Sequence, residues 1–260
     1  MEILDNANLA IVLVSPRNTL NIGAVARAMS NFGCSDLRVA AIYYKEFRSA
    51  SSAVGPAADL LRKSRDYDTV AQAIEDCTLV IGTTGVADRG WHQPLERLEQ
   101  SALRIRVAMQ HGRVALLFGS EKFGLSNDDV SHCHALLHIP TRDEHASMNL
   151  GQAAAVCLYE LSRISPEALA GDAPLAAAIN AAAAPEAVPT RRPKAPPAAG
   201  ELDRLASLFE ETLLAAEYPA MHTRHRSRQL RILSRRLGIP AGDASHWIGF
   251  LRQILWKLRS

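Results

Sequence analysis

Residues 114–125 read Val-Ala-Leu-Leu-Phe-Gly-Ser-Glu-Lys-Phe-Gly-Leu, a short apolar run followed by a loop with a carboxylate between two glycines. The run Val114–Gly119 predicts a strand, and Glu121 lies just past its end. Parallel α/β sheets bind ligands in the loops that leave the carboxyl ends of their strands. The stretch therefore predicts a parallel strand that ends in a binding loop. A tight turn with a solvated Glu-Lys pair is the alternative.

The sequence around this stretch alternates apolar runs with helical patterns. Four more runs have strand character: Ala10–Val14, Leu37–Ile42, Thr78–Gly82 and Ala135–Ile139. Five segments have helical character: Leu20–Phe32 before Gly33, Thr69–Glu75 with Asp68 as its cap, Pro94–Met109, a short helix capped by Asn127, and Asn149–Ile164. Strands that alternate with helices predict an α/β fold with a mostly parallel sheet.

The composition divides the 260 residues into three zones. Residues 1–164 form the predicted α/β domain. Residues 165–200 contain 14 Ala and 7 Pro, which predicts a linker because proline at this density stops long helices. Residues 201–260 return to helical spacing and predict a small C-terminal helical module, whose last helix could be capped by Asp243.

The charge is unevenly distributed between these zones. Residues 1–164 carry 16 Lys and Arg against 18 Asp and Glu, whereas residues 201–260 carry 10 against 6. Helical spacing aligns four arginines of the module in one stripe: Arg224, Arg228, Arg231 and Arg235. The stripe is either an RNA-binding surface or the solvated face of a dimer clasp. The opposing leucines, Leu230, Leu233 and Leu237, are expected to face the core of the module.

Several classes of protein are disfavoured by the sequence. No apolar run approaches the roughly 20 residues of a membrane span, and the N-terminus lacks the basic start of a signal peptide. The four cysteines follow no C-x-x-C pattern, which fits the reducing cytoplasm. The run Ser131-His-Cys-His134 lacks a distant pair that would complete a metal site. We therefore expect a cytoplasmic protein with no membrane partner and no metal.

Two further motifs lie where a strand meets a helix. Asn21-Ile-Gly-Ala-Val-Ala-Arg27 follows the first strand, and Arg27 is a lone charge in an apolar helix. A cap plus a snorkelling arginine is the structural alternative. His145-Ala-Ser-Met-Asn-Leu150 begins the last helix of the domain, where Ser147 or Asn149 could simply be a cap. With Gly82-Thr-Thr-Gly85, these motifs give four candidate ligand loops, and none has a Rossmann or Walker A pattern.

The three motifs in this order resemble those of the SpoU/TrmH branch of the SPOUT methyltransferases. Asn21–Arg27 resembles the first family motif and Phe118–Leu125 the second. Ile139-Pro140 with Ser147–Leu150 resembles the third. The resemblance extends to the TrmJ type through Val12–Pro16 and Arg224–Leu237. It covers most of residues 9–164 and, more loosely, 201–260.

The resemblance implies a homodimer whose α/β domain is tied in a trefoil knot, a feature that periodicity cannot reveal. It also implies transfer of a methyl group from S-adenosyl-L-methionine to a ribose 2′-hydroxyl in RNA. For the TrmJ type the expected substrate is nucleotide 32 in the anticodon loop of tRNA. No DNA partner is expected.

The resemblance also implies a set of site residues. The cofactor is expected at Thr83, Thr84, Gly85, Gly119, Ile139, Ala146, Ser147 and Met148. The catalytic set comprises Arg27, Asn21, Glu121, Ser147 and Asn149. Because a guanidinium has no acceptor and a pKa above about 12, we expect Arg27 to clamp a phosphate and orient the ribose rather than to act as a base. The other four would position the cofactor and the hydroxyl.

Two other functions remain open at this point. One is a ribosomal RNA 2′-O-methyltransferase of the same branch, which the C-terminal 60 residues argue against because the added module resembles the TrmJ type. The other is a catalytically silent RNA-binding paralogue. The joint retention of Asn21, Arg27, Glu121, Ser147 and Asn149 argues against that loss of activity.

Overall fold

The computed structural model describes residues 7–42, 53–85, 93–142, 147–164, 195–218 and 224–260. Within these ranges, seven strands form one sheet in which all neighbours run parallel. The strands are β1 Leu9–Val14, β2 Asp36–Ala40, β3 Arg65–Tyr67, β4 Leu79–Thr84, β5 Leu95–Arg97, β6 Val114–Phe118 and β7 Ala135–His138. Their order across the sheet is β3-β2-β1-β6-β4-β7-β5, which confirms the predicted α/β class.

The helices cover both faces of this sheet. They are α1 Thr19–Asn31, α2 Pro56–Lys63, α3 Val70–Ile74, α4 Leu98–Met109, α5 Asn127–Ser131, α6 Leu150–Arg163, α7 Ala199–Ala215, α8 Arg224–Arg236 and α9 Ala241–Arg259. Buried side chains of α1, α2, α4 and α6 form one apolar core with the sheet. Those of α3, α5 and the start of α7 form a second core on the opposite face.

The central strands β1 and β6 are buried on both faces, as their continuous apolar sequences predict. Side chains alternate along a strand, so Ile11 and Leu13 join the first core while Val12 and Val14 join the second. Leu13 is paired with Phe118, which aligns the ends of β1 and β6. The loops that follow these two strands therefore leave the sheet at the same edge.

The helix predicted over Pro94–Met109 begins only at Leu98. Residues 95–97 instead pair with β7 as an edge strand, and the Leu136 amide donates to the Pro94 carbonyl at 2.8 Å. Helix α2 and strand β3 were not predicted from the sequence. Strands of three residues, such as β3 and β5, are too short to show a period of two, so only their pairing partners define them.

Three predicted helix caps are shifted. Thr69 caps α3 in place of Asp68, and Ser126 caps α5 in place of Asn127. In both helices the cap hydroxyl accepts from the backbone amide three residues later. The last helix has Pro240 as its N-terminal cap residue, and Asp243 lies in its first turn instead of at the cap position. By contrast, Gly33 ends α1 with φ of 69°, as predicted.

The three C-terminal helices dock on the α/β domain. The Ala199 amide at the start of α7 donates to the Cys77 carbonyl at 2.7 Å. Helices α7 and α9 share a small core built from Leu205, Leu208, Ile248, Leu251 and Leu255. Most of the predicted linker, residues 165–194, lies outside the described residues, so the domain division stays a prediction.

The arginine stripe on α8 faces the α/β domain in part. Arg231 binds the Asp128 carboxylate of α5, and buried Arg235 binds Asp203 of α7 at 2.8 Å. The expectation that the leucines opposite would face the core of the module is wrong for Leu233 and Leu237, which are each 46% exposed. Helix α8 therefore docks through its cationic face and leaves these two leucines in contact with solvent.

Two further expectations concern the chain path and membranes. The knot implied by the resemblance stays a prediction, because residues 86–92 and residues 143–146 of the predicted ligand loop 139–149 lie outside the described residues. In the part of the chain that the structure describes, no helix combines the length and apolar character needed to cross a membrane.

Candidate active site

Four loops lie side by side at the carboxyl edge of the sheet. They follow β1, β6, β4 and β7, which are consecutive neighbours. The chain order reverses beside β1, which pairs with β2 on one side and β6 on the other. Such a switch point opens a crevice where parallel α/β proteins bind ligands. The structure thus brings the four predicted loops together.

Glu121 joins the loop after β6 to the start of α1. Its carboxylate accepts from the backbone amides of Arg17 at 3.0 Å and Asn18 at 3.1 Å. It also accepts from Asn21 Nδ2 at 2.9 Å. Backbone amides at a helix N-terminus are unpaired within the helix and carry partial positive charge, so they favour a carboxylate at this position.

Asn21 and Asn149 extend this network to the third motif. Asn149 Nδ2 donates to Asn21 Oδ1 at 3.0 Å across 128 residues of sequence. Asn149 Oδ1 also accepts from the Gly151 amide at 2.9 Å, so the residue caps α6. Asn149 therefore caps α6, as the structural alternative proposes, and also contacts Asn21 of the first motif. One chain of hydrogen bonds links Glu121, Asn21 and Asn149.

The ionisation of Glu121 follows from these contacts. Partial burial acts to raise the pKa of its carboxyl group, but hydrogen bonds from Asn21 and from backbone amides outweigh burial and hold the pKa below its ordinary value. A carboxylate that is charged at neutral pH and occupied by three donors is a poor proton acceptor. The geometry assigns Glu121 to holding the loops together.

Arg27 lies two turns into α1 and is exposed. The neighbouring residues Val25, Ala26, Ala28 and Met29 are buried, so the arginine is the charged interruption that the sequence indicates. It forms no hydrogen bond or ion pair with any residue in the described ranges. No described residue occupies its five N–H donors, so they are available to a ligand.

The predicted cofactor residues occupy three of the four loops. Thr83 Oγ1 donates to the Leu117 carbonyl at 2.9 Å, which ties β4 to β6 just before Gly119. A Cβ on Gly119 would lie 2.1 Å from the carbonyl carbon of Gly124, so only glycine allows this loop to close. Thr84, Gly85 and Ile139 continue the same edge. Ser147 is exposed and Met148 half-buried, whereas Ala146 lies outside the described residues.

The chemistry of this donor set fits S-adenosylmethionine. The loops supply backbone amides and carbonyls, threonine and serine hydroxyls, and the apolar side chains of Ile139 and Met148. None of the eight predicted residues is a lysine or arginine. The cofactor is a sulfonium cation without phosphate, so it needs no cationic cradle.

The His132-Cys133-His134 run serves packing. His132 Nδ1 lies 3.1 Å from Asp203, and His134 Nδ1 accepts from the Val80 amide. Burial and the nearby charge of Arg235 lower the pKa of His134 to about 3. Among the described residues, no three His, Cys, Asp or Glu side chains are placed to share a metal ion.

Sequence reasoning missed three residues of this region. Asn18 caps α1, and its backbone and that of Arg17 hold Glu121. The position of Asn18 directly before a helical pattern could have indicated the cap. Phe123 stands exposed in the same loop as Glu121. No pattern in the sequence distinguishes an exposed phenylalanine from a buried one at this position.

Comparison with known proteins places the chain among RNA methyltransferases. The profile of the family described as "SpoU rRNA Methylase family" matches residues 8–159. The tRNA (cytidine/uridine-2′-O-)-methyltransferase TrmJ of Klebsiella pneumoniae is 32% identical over 249 residues, which is 95% of each chain. That of Pectobacterium atrosepticum is 36% identical over 156 residues, 59% of this chain and 64% of the relative.

A solved structure agrees over nearly the whole length. The crystal structure of TrmJ from Z. mobilis matches with a TM-score of 0.74 and 30% identity, and the match covers 96% of this chain and 99% of that one. The match therefore includes the C-terminal helices as well as the parallel sheet.

Proposed function

Because this chain belongs to the SpoU rRNA Methylase family, we propose that it methylates a ribose 2′-hydroxyl of tRNA with S-adenosylmethionine as the methyl donor. The observation that carries the proposal is the hydrogen-bond chain Glu121–Asn21–Asn149, which holds three loops at the switch point. The similarity to tRNA methyltransferases extends through the C-terminal helices, which supports tRNA over ribosomal RNA. Nucleotide 32 is the position that we propose.

The cofactor residues would be Thr83, Thr84, Gly85, Gly119, Ile139, Ala146, Ser147 and Met148. When bound, S-adenosylmethionine supplies an electrophilic methyl group. The residues themselves contribute a neutral, partly apolar cleft, and Gly119 and the Thr83 hydroxyl fix its backbone. Positioning of this kind lowers a barrier by several kcal/mol when the reacting groups are held in line.

Arg27 binds and orients the substrate in this proposal. A guanidinium is always charged and presents a planar fork, so it grips a phosphate and fixes the adjacent ribose. The Glu121 carboxylate keeps Asn21 in place. Ser147 and Asn149, at the start of α6, orient the 2′-hydroxyl. Because Glu121 is already occupied by three donors, the hydroxyl proton leaves to water or to a substrate phosphate.

We also propose that the enzyme is a homodimer. Helices α1 and α6 pack together and leave apolar side chains exposed, with Leu20 at 51%, Val156 at 36% and Tyr159 at 57%. A second copy would cover them. Light scattering should give twice the 28.2 kDa chain mass, and Tyr159→Asp should lower it. A wild-type mass of one chain would contradict the dimer.

A cytoplasmic location is part of the same proposal. All four cysteines are free thiols and buried. Burial raises the pKa of Cys133 and of Cys157 to about 12, so these two remain protonated and unreactive. Such thiols suit a reducing compartment, where tRNA is also present.

The function is tested by methylation of tRNA from a strain that lacks the gene. We expect the purified protein to add one 2′-O-methyl group at nucleotide 32, and calorimetry to detect S-adenosylhomocysteine binding with chelator present. Methylation of ribosomal RNA but not of tRNA would select the alternative substrate. Cofactor binding without methylation of either RNA would indicate the silent paralogue.

A further inference from the structure

Phe123 is an exposed aromatic residue at the tip of a rigid loop. Its ring is 59% exposed, and its backbone amide donates to Ser120 Oγ at 3.3 Å. The Gly124 amide donates to the Ser120 carbonyl at 2.8 Å, with φ of 66° at Gly124. The hydrogen-bonded turn therefore places the ring in contact with solvent.

Two cations flank this ring. The Arg17 guanidinium carbon lies 5.1 Å from the ring centroid, and Lys122 Nζ lies 5.2 Å from it. Both distances are within the range of cation–π attraction. Lys122 forms no ion pair with any carboxylate in the described ranges, so its charge is available to an anion. One aromatic face and two positive charges thus share a small surface.

This surface is attached to the site network. Glu121, two residues before Phe123, accepts from the Arg17 amide and from Asn21. The backbone from which the ring and both cations project is therefore tied to Asn21 and, through it, to Asn149. Phe123 takes no part in the network itself, so its ring is free to contact a substrate.

We propose that Phe123 stacks on an unpaired base of the tRNA loop that carries the methylated ribose, while the Lys122 ammonium neutralises an adjoining phosphate. This inference rests on the proposed function. Proteins recognise single-stranded RNA by stacking splayed bases on aromatic side chains within a cationic surface. A base offers the exposed ring a planar stacking partner, and the nucleotide's phosphate offers Lys122 an opposite charge that no carboxylate of the described residues supplies.

The test compares Phe123→Leu, which keeps apolar bulk without a π face, with Phe123→Trp as the matched control. We expect the leucine variant to weaken tRNA affinity and raise the KM for tRNA by about 5- to 150-fold, the range of one base–aromatic stack. S-adenosylhomocysteine binding and kcat should stay within about twofold. The tryptophan variant should match wild type, and tRNA should quench its added fluorescence relative to wild type.

The outcomes separate this inference from the proposed function. A wild-type protein that neither binds nor methylates tRNA overturns the function itself. A wild type that methylates tRNA while Phe123→Leu has unchanged affinity and KM overturns only the stacking role. Light scattering on both variants is the control for oligomeric state. A leucine variant that loses tRNA affinity together with a change in oligomeric mass would assign the ring to an interface between copies instead of to RNA.

Discussion

Replacement of Arg27 by alanine should lower the rate of ribose methylation by about 10²- to 10⁴-fold, the scale of a positioned catalytic group. The side chain is exposed and forms no bond with the described residues, so its removal costs the fold little. Alanine also favours the helix. The affinity for S-adenosylhomocysteine, measured by calorimetry, should therefore be unchanged, while the single-turnover rate of tRNA methylation falls.

Two control variants sharpen this result. Arg27→Lys keeps the charge but not the planar fork, so we expect it to recover only a small part of the lost rate. Arg62→Ala removes an exposed arginine on α2 and should leave the rate at the wild-type level. Wild-type turnover in Arg27→Ala would limit the residue to the snorkelling role that the sequence left open.

The positions of the four ligand loops could be predicted from the sequence because each depends on local signals. Runs of mainly apolar residues identify β1, β4, β6 and β7, and serine, glycine or proline lies at or just after the end of each run. Parallel strands send their carboxyl ends to one edge, so the loops must meet there. The hydrogen bond between Asn21 and Asn149 could not be predicted, because it depends on how α1 packs against α6.

Neighbouring residues with similar capping ability explain the shifted helix caps. Asp68 and Thr69 are both good capping residues, as are Ser126 and Asn127, and one-residue choices between them depend on the exact helix start.

The third motif shows a different limit. Asn149 was open to either capping or function, and the structure shows that one amide group serves the cap and the network together.

The arginine stripe on α8 shows that a charge pattern in the sequence does not identify the surface that the charges contact. A cationic stripe in a module with net positive charge favours an RNA surface or a solvated clasp. No local signal separates these two roles from a third, in which the stripe docks on acidic residues elsewhere in the same chain. Asp128 of α5 and Asp203 of α7 supply it. Reversal of Arg228 and Arg231 would therefore disturb docking as well as any effect on RNA.

The ionisation of Asp203 follows from the same interface. Burial alone would raise its pKa, but the hydrogen bond from His132 and the charge of Arg235 hold the pKa below its ordinary value. A lowered pKa in the folded state means that the carboxylate stabilises the protein above about pH 4. This contribution is lost as the pH falls through the lower folded value. Acid should weaken the docking of the C-terminal helices in that window.

Arg235→Ala should destabilise the protein by about 3–5 kcal/mol, the cost of removing one partner of a buried ion pair. Its side chain is 1% exposed, and it donates to Asp203 at 2.8 Å and to the His132 carbonyl at 2.9 Å. Truncation leaves Asp203 with His132 alone and leaves a buried carbonyl without its donor. Urea unfolding measures the loss, and hydrogen exchange along α8 locates it.

Arg236→Ala is the matched control, because this neighbour on α8 is exposed and its removal should change stability by less than about 0.5 kcal/mol. The paired replacement of Arg235 by Met and Asp203 by Leu should recover most of the lost stability, since it removes both charges rather than stranding one. Equal unfolding midpoints for Arg235→Ala and Arg236→Ala would show that the ion pair does not hold the module.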